Sequence, residues 1–285
     1  MKTAMKLVRW VVRTFAIVLL VILGSTILVR FAPGYLSDAR EMDSRYASEV
    51  RMELSAEAAR SHSIPQMLVA ETGGWARGDF GTSRQFQVPV SSLIEPRLAI
   101  SGKLLLRGIG LAWMAALCAA LISSAGRNPS MFRQAPATVL LAIPTSALAT
   151  VCLLANSGGP VLVMALLLAA RDFKFLDRAL RKAWMEPHVL QARAQGVRTG
   201  RLLAGHIAPS LAPHLGALAS LSIVTALSAL VPVEVLFDVP GVGELAWNAA
   251  LNRDLPVLLA VMFVMAIAVI CSGMATPRAA EWESA

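Results

Sequence analysis

Long uncharged, apolar runs recur along this chain, and they restrict it to one class of fold. A helix needs about 20 residues to cross the hydrocarbon core of a bilayer, and a buried helix of a soluble protein is rarely so long and so free of charge. Charged residues make up only 15% of the chain, against roughly a quarter in ordinary soluble domains. The sequence therefore predicts an all-α membrane protein. The runs cover residues 14–29, 108–126, 134–170, 207–233 and 255–277.

The positive charge of the chain is concentrated in two segments. The net charge is +8, the tail before the first run contains four basic residues, and residues 171–201 contain eight. Residues 30–100 also contain eight basic residues, but nine acidic residues offset them. Cytoplasmic segments of membrane proteins carry such an excess of Lys and Arg, so we expect the tail and residues 171–201 to lie in the cytoplasm. This distribution explains the charge without a nucleic-acid partner.

Placing the N-terminus in the cytoplasm orders the other segments. No small-x-small cleavage site follows the first run, so we interpret it as an uncleaved span rather than a signal peptide. Residues 1–30 then form the N-terminal tail and first span, and residues 31–100 form a helical and loop segment outside the membrane. Residues 101–277 form a core of five spans with a cytoplasmic loop at 171–206, and residues 278–285 form a C-terminal tail that is cytoplasmic like the N-terminus.

Six spans follow from this order. Lys103 and Arg107 open the second span and are expected to reach the outer rim. The run at 134–170 is too long for one span, and the turn-forming residues 156–160 interrupt it. We therefore predict two short spans that meet at an outer turn, with a re-entrant hairpin as the alternative. Residues 207–233 then lead outward, residues 237–254 form an outer loop, and residues 255–276 return.

The sequence contains no recognisable catalytic motif. Its four histidines, His62, His188, His206 and His214, show no HExxH pattern, and no paired Cys or Asp stands at metal-ligand spacing. There is no GxSxG motif and no phosphate-binding GxxxxGK[ST] loop. We therefore expect no enzyme activity, metal or cofactor in this chain, and any ATP that its function requires must be bound by another chain.

The basic segment at 171–206 contains a predicted short helix. Glu186-Pro187 suits a helix start because Pro is tolerated at the first helical position. Gly196 suits the helix end, where a positive φ is favoured. In the sequence EPHVLQARAQG this helix would carry Val189, Ala192 and Gly196 on one face, a surface suited to docking into a groove of another protein. An ordinary basic loop is an equal alternative. A second helix is predicted from Thr199 up to the prolines at 209 and 213.

Three segments, in order along the chain, resemble one family. The first contains ARAQG, then a ten-residue step from Gly196 to His206, then HIAPSLAP. It is similar to the coupling loop, or EAA loop, of ABC importer permeases of the dipeptide, oligopeptide and nickel group. WARGDFGTSRQFQVPVSSLIEPRL at 75–98 and VEVLFDVPGVGELAWNAALNRDLPVL at 233–258 resemble outer segments of the same group, of its first-permease type.

The resemblance implies the six-helix fold of type I ABC importer permeases in the cytoplasmic membrane. It also implies four kinds of partner: a second permease, two cytoplasmic ABC ATPase subunits, an extracytoplasmic substrate-binding protein, and membrane lipid. The expected activity is import of peptides or a related small solute. A degenerate, permease-like receptor or assembly subunit without transport is the alternative.

The resemblance also implies roles for particular residues. The implied ATPase contacts are Glu186, Ala192, Arg193, Gly196 and His206. The implied outer gate or binding-protein contacts are Arg77, Gly78, Asp79, Pro240, Gly241, Gly243, Asn252, Arg253 and Asp254. For Pro240, Gly241 and Gly243, a purely structural turn is an equal alternative.

Overall fold

The described part of the chain is all helical in this computed structural model. The structure describes residues 20, 24, 74–75, 78–124, 131–155, 158–252 and 254–274. The predicted first span, most of the predicted segment at 31–100 and the C-terminal tail lie outside these residues. The helices are α1 (Val90–Ser124), α2 (Met131–Ala142), α3 (Thr145–Leu154), α4 (Gly159–Trp184), α5 (Pro187–Ala194), α6 (Thr199–Leu202), a π-helical segment (Leu203–Ile207), α7 (Ala208–Leu236), α8 (Val242–Leu251) and α9 (Leu255–Met274).

The chain divides into two compact units. The first combines Met1–Ala99 with Pro240–Ile267, and the second combines Ile100–Val239 with Ala268–Ala285. Within the first unit, Val90 and Ile94 of α1 pack with Val242 and Leu245 of α8. Within the second unit, apolar residues of α1, α4, α5 and α7 form one core that includes Ala116, Leu180, Val189, Leu211 and Leu218.

Among the described residues, three helices, α1, α7 and α9, are long and apolar enough to cross a membrane. A fourth apolar stretch is broken, because α2 and α3 meet at an angle of 99°. Pro144 stands at this break. A proline disfavours the helical conformation of the residue before it, which accounts for the end of α2 at this point. This bend was not predicted from the sequence. A second interruption was predicted correctly, since α3 ends at Leu154 and α4 begins at Gly159; Asn156 and Ser157 lie outside the described residues.

Several boundaries differ from those expected. Helix α1 begins at Val90 rather than near Lys103, and α4 continues through the basic residues to Trp184. Charged residues mark where a helix can leave hydrocarbon, but they do not end the helix, so both helices continue beyond their apolar runs. The predicted outer loop at 237–254 contains the ten-residue helix α8.

The helix that begins at Thr199 also continues further than expected. It passes the two prolines and runs through the π-helical segment into α7. A π-helical turn has irregular backbone hydrogen bonding. Pro209, which has no N–H to donate, follows it directly as the second residue of α7.

Helix α4 carries a charged pair inside the second unit. The Asp172 side chain is fully buried and lies 3.1 Å from a guanidinium nitrogen of Arg171. The hydroxyl of Ser222 on α7 lies 3.1 Å from each carboxylate oxygen of Asp172, and the indole N–H of Trp113 on α1 donates to this hydroxyl. Arg171 also contacts Thr225. Donors on α4 and α7 thus contact a carboxylate that would be costly to bury alone, and α1 is connected to it through the Ser222 hydroxyl.

A second pair occupies the next turns of α4. Arg181 donates to Asp177 at 3.0 Å, and its other nitrogen donates to the Ser123 carbonyl and hydroxyl at 3.0 and 3.1 Å. The two carboxylates of α4 are therefore each paired with an arginine of the same helix.

Gly108 permits close packing of α1 against α4. A Cβ atom there would lie 2.6 Å from Cγ and 2.9 Å from Cβ of Met164. We predict that Gly108→Ala lowers the free energy of unfolding by roughly 1–3 kcal/mol through overpacking, measured by denaturant titration in micelles. Gly110→Ala is the matched control, because that position of α1 has nothing within 4 Å and alanine favours helix by about 1 kcal/mol. Equal stabilities of the two variants would contradict the packing argument.

Candidate functional site

The short helix α5 begins and ends where its sequence predicts. Pro187 is its first residue, and Glu186 precedes it in an extended conformation. Gly196 has a φ of 78°, in the left-handed region that favours glycine. Its N–H donates to the Arg193 carbonyl at 3.0 Å, and the Val197 N–H donates to the Ala192 carbonyl at 3.2 Å. This pair of hydrogen bonds resembles the Schellman ending of helices.

The predicted docking face of α5 is partly covered by the protein itself. Val189 is fully buried and Ala192 is 7% exposed, so both face the protein's own core. Val189 belongs to the apolar core that includes residues of α4 and α7. The residues left on the surface include Arg193 and Gly196, together with Leu190, which is 45% exposed. Of the implied contacts, Ala192 is thus unavailable to a partner in this structure.

Polar groups connect the start of α5 with the start of α7. The Ser210 hydroxyl donates to the Glu186 carboxylate at 3.0 Å. His188 Nε2 lies 3.5 Å from the same carboxylate, and the His188 and His206 rings stack with centroids 6.2 Å apart. Glu186 and His206 therefore brace α5, a role that the sequence analysis did not separate from direct partner contact.

In the first unit, residues 78–90 form a turn-rich hairpin. The Gly81 N–H donates to the Asp79 carboxylate at 2.9 Å, and the Ser83 N–H donates to the Val88 carbonyl at 2.9 Å. Gly78 adopts a φ of 78° and is exposed, as is Asp79. The hairpin tip presents Phe86, which is 46% exposed.

A buried carboxylate fixes this hairpin. Asp254 is 1% exposed and accepts hydrogen bonds from the Ser83 hydroxyl and from the N–H groups of Arg84, at 3.1 Å, and Gln85, at 3.2 Å. Its own carbonyl accepts from Leu258 in the first turn of α9. The sequence analysis expected Asp254 on the outer surface, whereas the structure buries it. Ser83 was missed, because its partner is 171 residues away in sequence.

The remaining implied outer residues divide between surface and interior. Pro240 and Asn252 are exposed, while Gly241 and Gly243 are buried at the start of α8. Gly241 has an extended backbone, with φ −103°, and its carbonyl accepts from Leu245. Arg77 and Arg253 lie outside the described residues. The two glycines therefore cannot contact a partner directly in this conformation.

An ion pair joins α1 and α8 within the same unit. Arg97 lies 2.6 Å from Glu244, which also accepts from the Asn248 amide. Among the described residues, no group of three or more His, Cys, Asp or Glu side chains is placed to hold a metal ion.

Gly196 and Gly200 provide a matched test of the α5 ending. A Cβ at either position would meet nothing within 4 Å, but only Gly196 has a positive φ. We predict that Gly196→Ala destabilises the ending by about 1–2 kcal/mol and accelerates hydrogen exchange at the Val197 amide. Gly200→Ala should leave this exchange unchanged. An unaffected Val197 amide in Gly196→Ala would show that the left-handed backbone is not required.

Asp254 is tested by removing its charge at constant size. Asp254→Asn places an amide NH₂ group among donors, so at least one buried donor loses its partner at a cost of roughly 1–3 kcal/mol. We expect the Arg84 and Gln85 amides to exchange about tenfold faster or more. Asp79→Asn, at an exposed carboxylate of the same hairpin, is the control and should leave these two amides as they are.

Comparison with known proteins agrees with this architecture. Residues 108–282 match the family described as binding-protein-dependent transport system inner membrane component. A candidate peptide permease protein of Brucella suis biovar 1 is 25% identical over 284 residues, covering 89% of each chain; a similarly named protein of Brucella ovis has the same identity and coverage. The metal-staphylopine import system permease protein CntB of Staphylococcus aureus is 25% identical over 241 residues, covering 76% of this chain and 77% of its own. The chain belongs to the family of binding-protein-dependent transport system inner membrane components, and is an inner-membrane permease component of an ABC importer.

Proposed function

We propose that this permease forms one half of the translocation pathway of an importer for peptides or a related small solute. The names of the similar proteins support this substrate class, since they refer to peptides and to a metal bound to staphylopine. The other half would be a second permease. Two cytoplasmic ATPases would supply the energy, and an extracytoplasmic binding protein would deliver the solute.

The proposed topology has six spans, with both termini in the cytoplasm and residues 31–100 outside it. The composition of α4 argues against a membrane crossing by this helix, because charged residues begin at Arg171. Its first 12 residues extend about 18 Å, short of the hydrocarbon thickness of about 30 Å. The enclosure of Asp172 by Arg171, Ser222 and the Trp113–Ser222 hydrogen bond supports a crossing at this depth.

The observation that carries the proposed coupling is the bracing of α5 between α4 and α7. Val189 anchors it through the core, and Glu186 anchors it through Ser210. A partner that moves α5 therefore displaces the helices on either side. We propose that the ATPases contact the exposed face of α5 at Arg193, Gly196 and Leu190. Ala192, Glu186 and His206 would hold this helix in position without contacting the ATPases. ATP-driven closure would then rock the spans between two states.

The outer segments are proposed as the gate and the landing surface for the binding protein. The exposed residues of this surface are those of the hairpin tip together with Gly78, Asp79, Pro240 and Asn252. Asp254, Gly241 and Gly243 would shape this surface from within.

The coupling is tested by Arg193→Glu and Gly196→Trp. Both residues are exposed, and the backbone strain that a non-glycine residue meets at Gly196 is confined to the end of α5. We therefore expect the variants to insert and fold, but to reduce recovery of the ATPases at least tenfold and to abolish ATP-dependent uptake. Arg84→Glu makes the same charge change on an exposed hairpin residue, and recovery of the ATPases should be unchanged. Normal ATPase recovery and uptake in both variants would contradict the proposed contact.

The substrate class is tested with the reconstituted complex. Uptake of labelled di- and oligopeptides is measured in proteoliposomes with the binding protein and ATP, and a metal–staphylopine chelate is the comparison solute. ATP-dependent uptake of peptides alone supports peptide import. A complete complex that transports no solute would instead support the receptor or assembly role.

A further inference from the structure

Helix α4 carries a row of three cations that form no ion pair with a carboxylate among the described residues. Lys174, Arg178 and Lys182 stand four residues apart and thus share one face of the helix. Arg178 and Lys182 are exposed, and Lys174 is partly exposed. We call these three residues the basic stripe.

The stripe differs from the other cations of this helix. Arg171 and Arg181 are paired with Asp172 and Asp177. Within the described ranges of the chain, no carboxylate forms an ion pair with any residue of the stripe. Like charges at this spacing destabilise a helix. Lys182 lies in the last turn, where a cation interacts favourably with free carbonyls, but Lys174 lies two turns further back.

The position of the stripe along α4 matches the depth of lipid headgroups. Counted from Gly159 at 1.5 Å per residue, Lys174, Arg178 and Lys182 lie at about 22, 28 and 34 Å. The hydrocarbon core is about 30 Å thick, and each headgroup layer adds about 5–7 Å. If α4 starts at the outer boundary, Arg178 therefore lies at the inner edge of the hydrocarbon core and Lys182 lies in the inner headgroup layer. The Lys174 side chain can extend along the helix toward this edge.

We propose that the basic stripe binds the headgroups of anionic phospholipids in the cytoplasmic leaflet. Phosphate and cation attract at this boundary, and each Lys or Arg near an anionic surface strengthens binding about fivefold. Bound lipid would reduce the repulsion between the three cations. It would also fix the C-terminal end of α4, which is followed directly by α5. The inference rests on the proposed crossing of the membrane by α4.

The test compares lipid binding by variants of the full chain. The purified protein in micelles is titrated with phosphatidylglycerol and, separately, with phosphatidylcholine, and bound lipids are counted by native mass spectrometry. The wild type should bind phosphatidylglycerol more tightly. Lys174→Gln/Arg178→Gln/Lys182→Gln should weaken that binding on the order of 100-fold and leave phosphatidylcholine binding unchanged. Lys174→Arg/Arg178→Lys/Lys182→Arg should retain it, provided that circular dichroism shows equal helix content.

A charge-matched control removes three cations elsewhere. Arg193→Gln/Arg198→Gln/Arg201→Gln changes the net charge equally at exposed positions beyond the end of α4, and phosphatidylglycerol affinity should be unchanged. An equal loss in this control would assign the binding to overall charge and overturn the proposal. Equal wild-type affinity for both lipids would do the same, as would unchanged phosphatidylglycerol binding in the stripe variant.

Two further measurements separate this proposal from its alternatives. If the stripe variant binds lipid normally but loses the second permease on co-purification, the stripe serves an acidic protein surface instead. Recovery of the ATPases by the wild-type chain is measured independently. If the wild-type chain does not recover the ATPases, the proposed coupling is contradicted, whereas lipid binding by the isolated chain is unaffected.

Discussion

A carboxylate can be buried in a low-dielectric interior only where donors of the same protein surround it, and the second unit depends on this condition at Asp172. Its partners come from its own helix, through Arg171, and from α7, through Ser222, while Trp113 of α1 donates to the same hydroxyl. The group thus connects three helices by directional contacts. Removing one member of such a buried pair typically costs about 3–5 kcal/mol, so the arrangement of α1, α4 and α7 is strongly specified at this point.

The first unit uses a buried carboxylate differently. Asp254 accepts from one hydroxyl and two backbone N–H groups of the hairpin, while its own backbone joins α8 and α9 through hydrogen bonds with Ala249 and Leu258. These three donors give the buried oxygens of the carboxylate their hydrogen-bond partners. A surface loop without regular secondary structure can therefore hold a defined shape, with Phe86 exposed at its tip.

The features that sequence predicted are those that depend on local chemistry. Pro187 and Gly196 define the ends of α5 because each acts on its own backbone, and the apolar run from residue 255 predicted α9. The features it missed depend on residues distant in the chain. Ala192 is buried because α5 packs on its neighbours, and Asp254 is buried because Ser83 lies beside it. The start of α1 at Val90 was missed for another reason: charge shows where a helix meets water, but not where the helix begins.

The bracing of α5 has a mechanical consequence. Its apolar side is held by Val189 in the core and its first turn by the contact between Glu186 and Ser210, so the helix is attached to the elements before and after it. A basic loop without these contacts would absorb a displacement by bending. With them, displacement of α5 relative to α4 or α7 must expose Val189 or separate a half-buried hydrogen bond, and both cost free energy. Movement of the attached helices together avoids that cost, which is the property required of an element that transmits force to membrane spans.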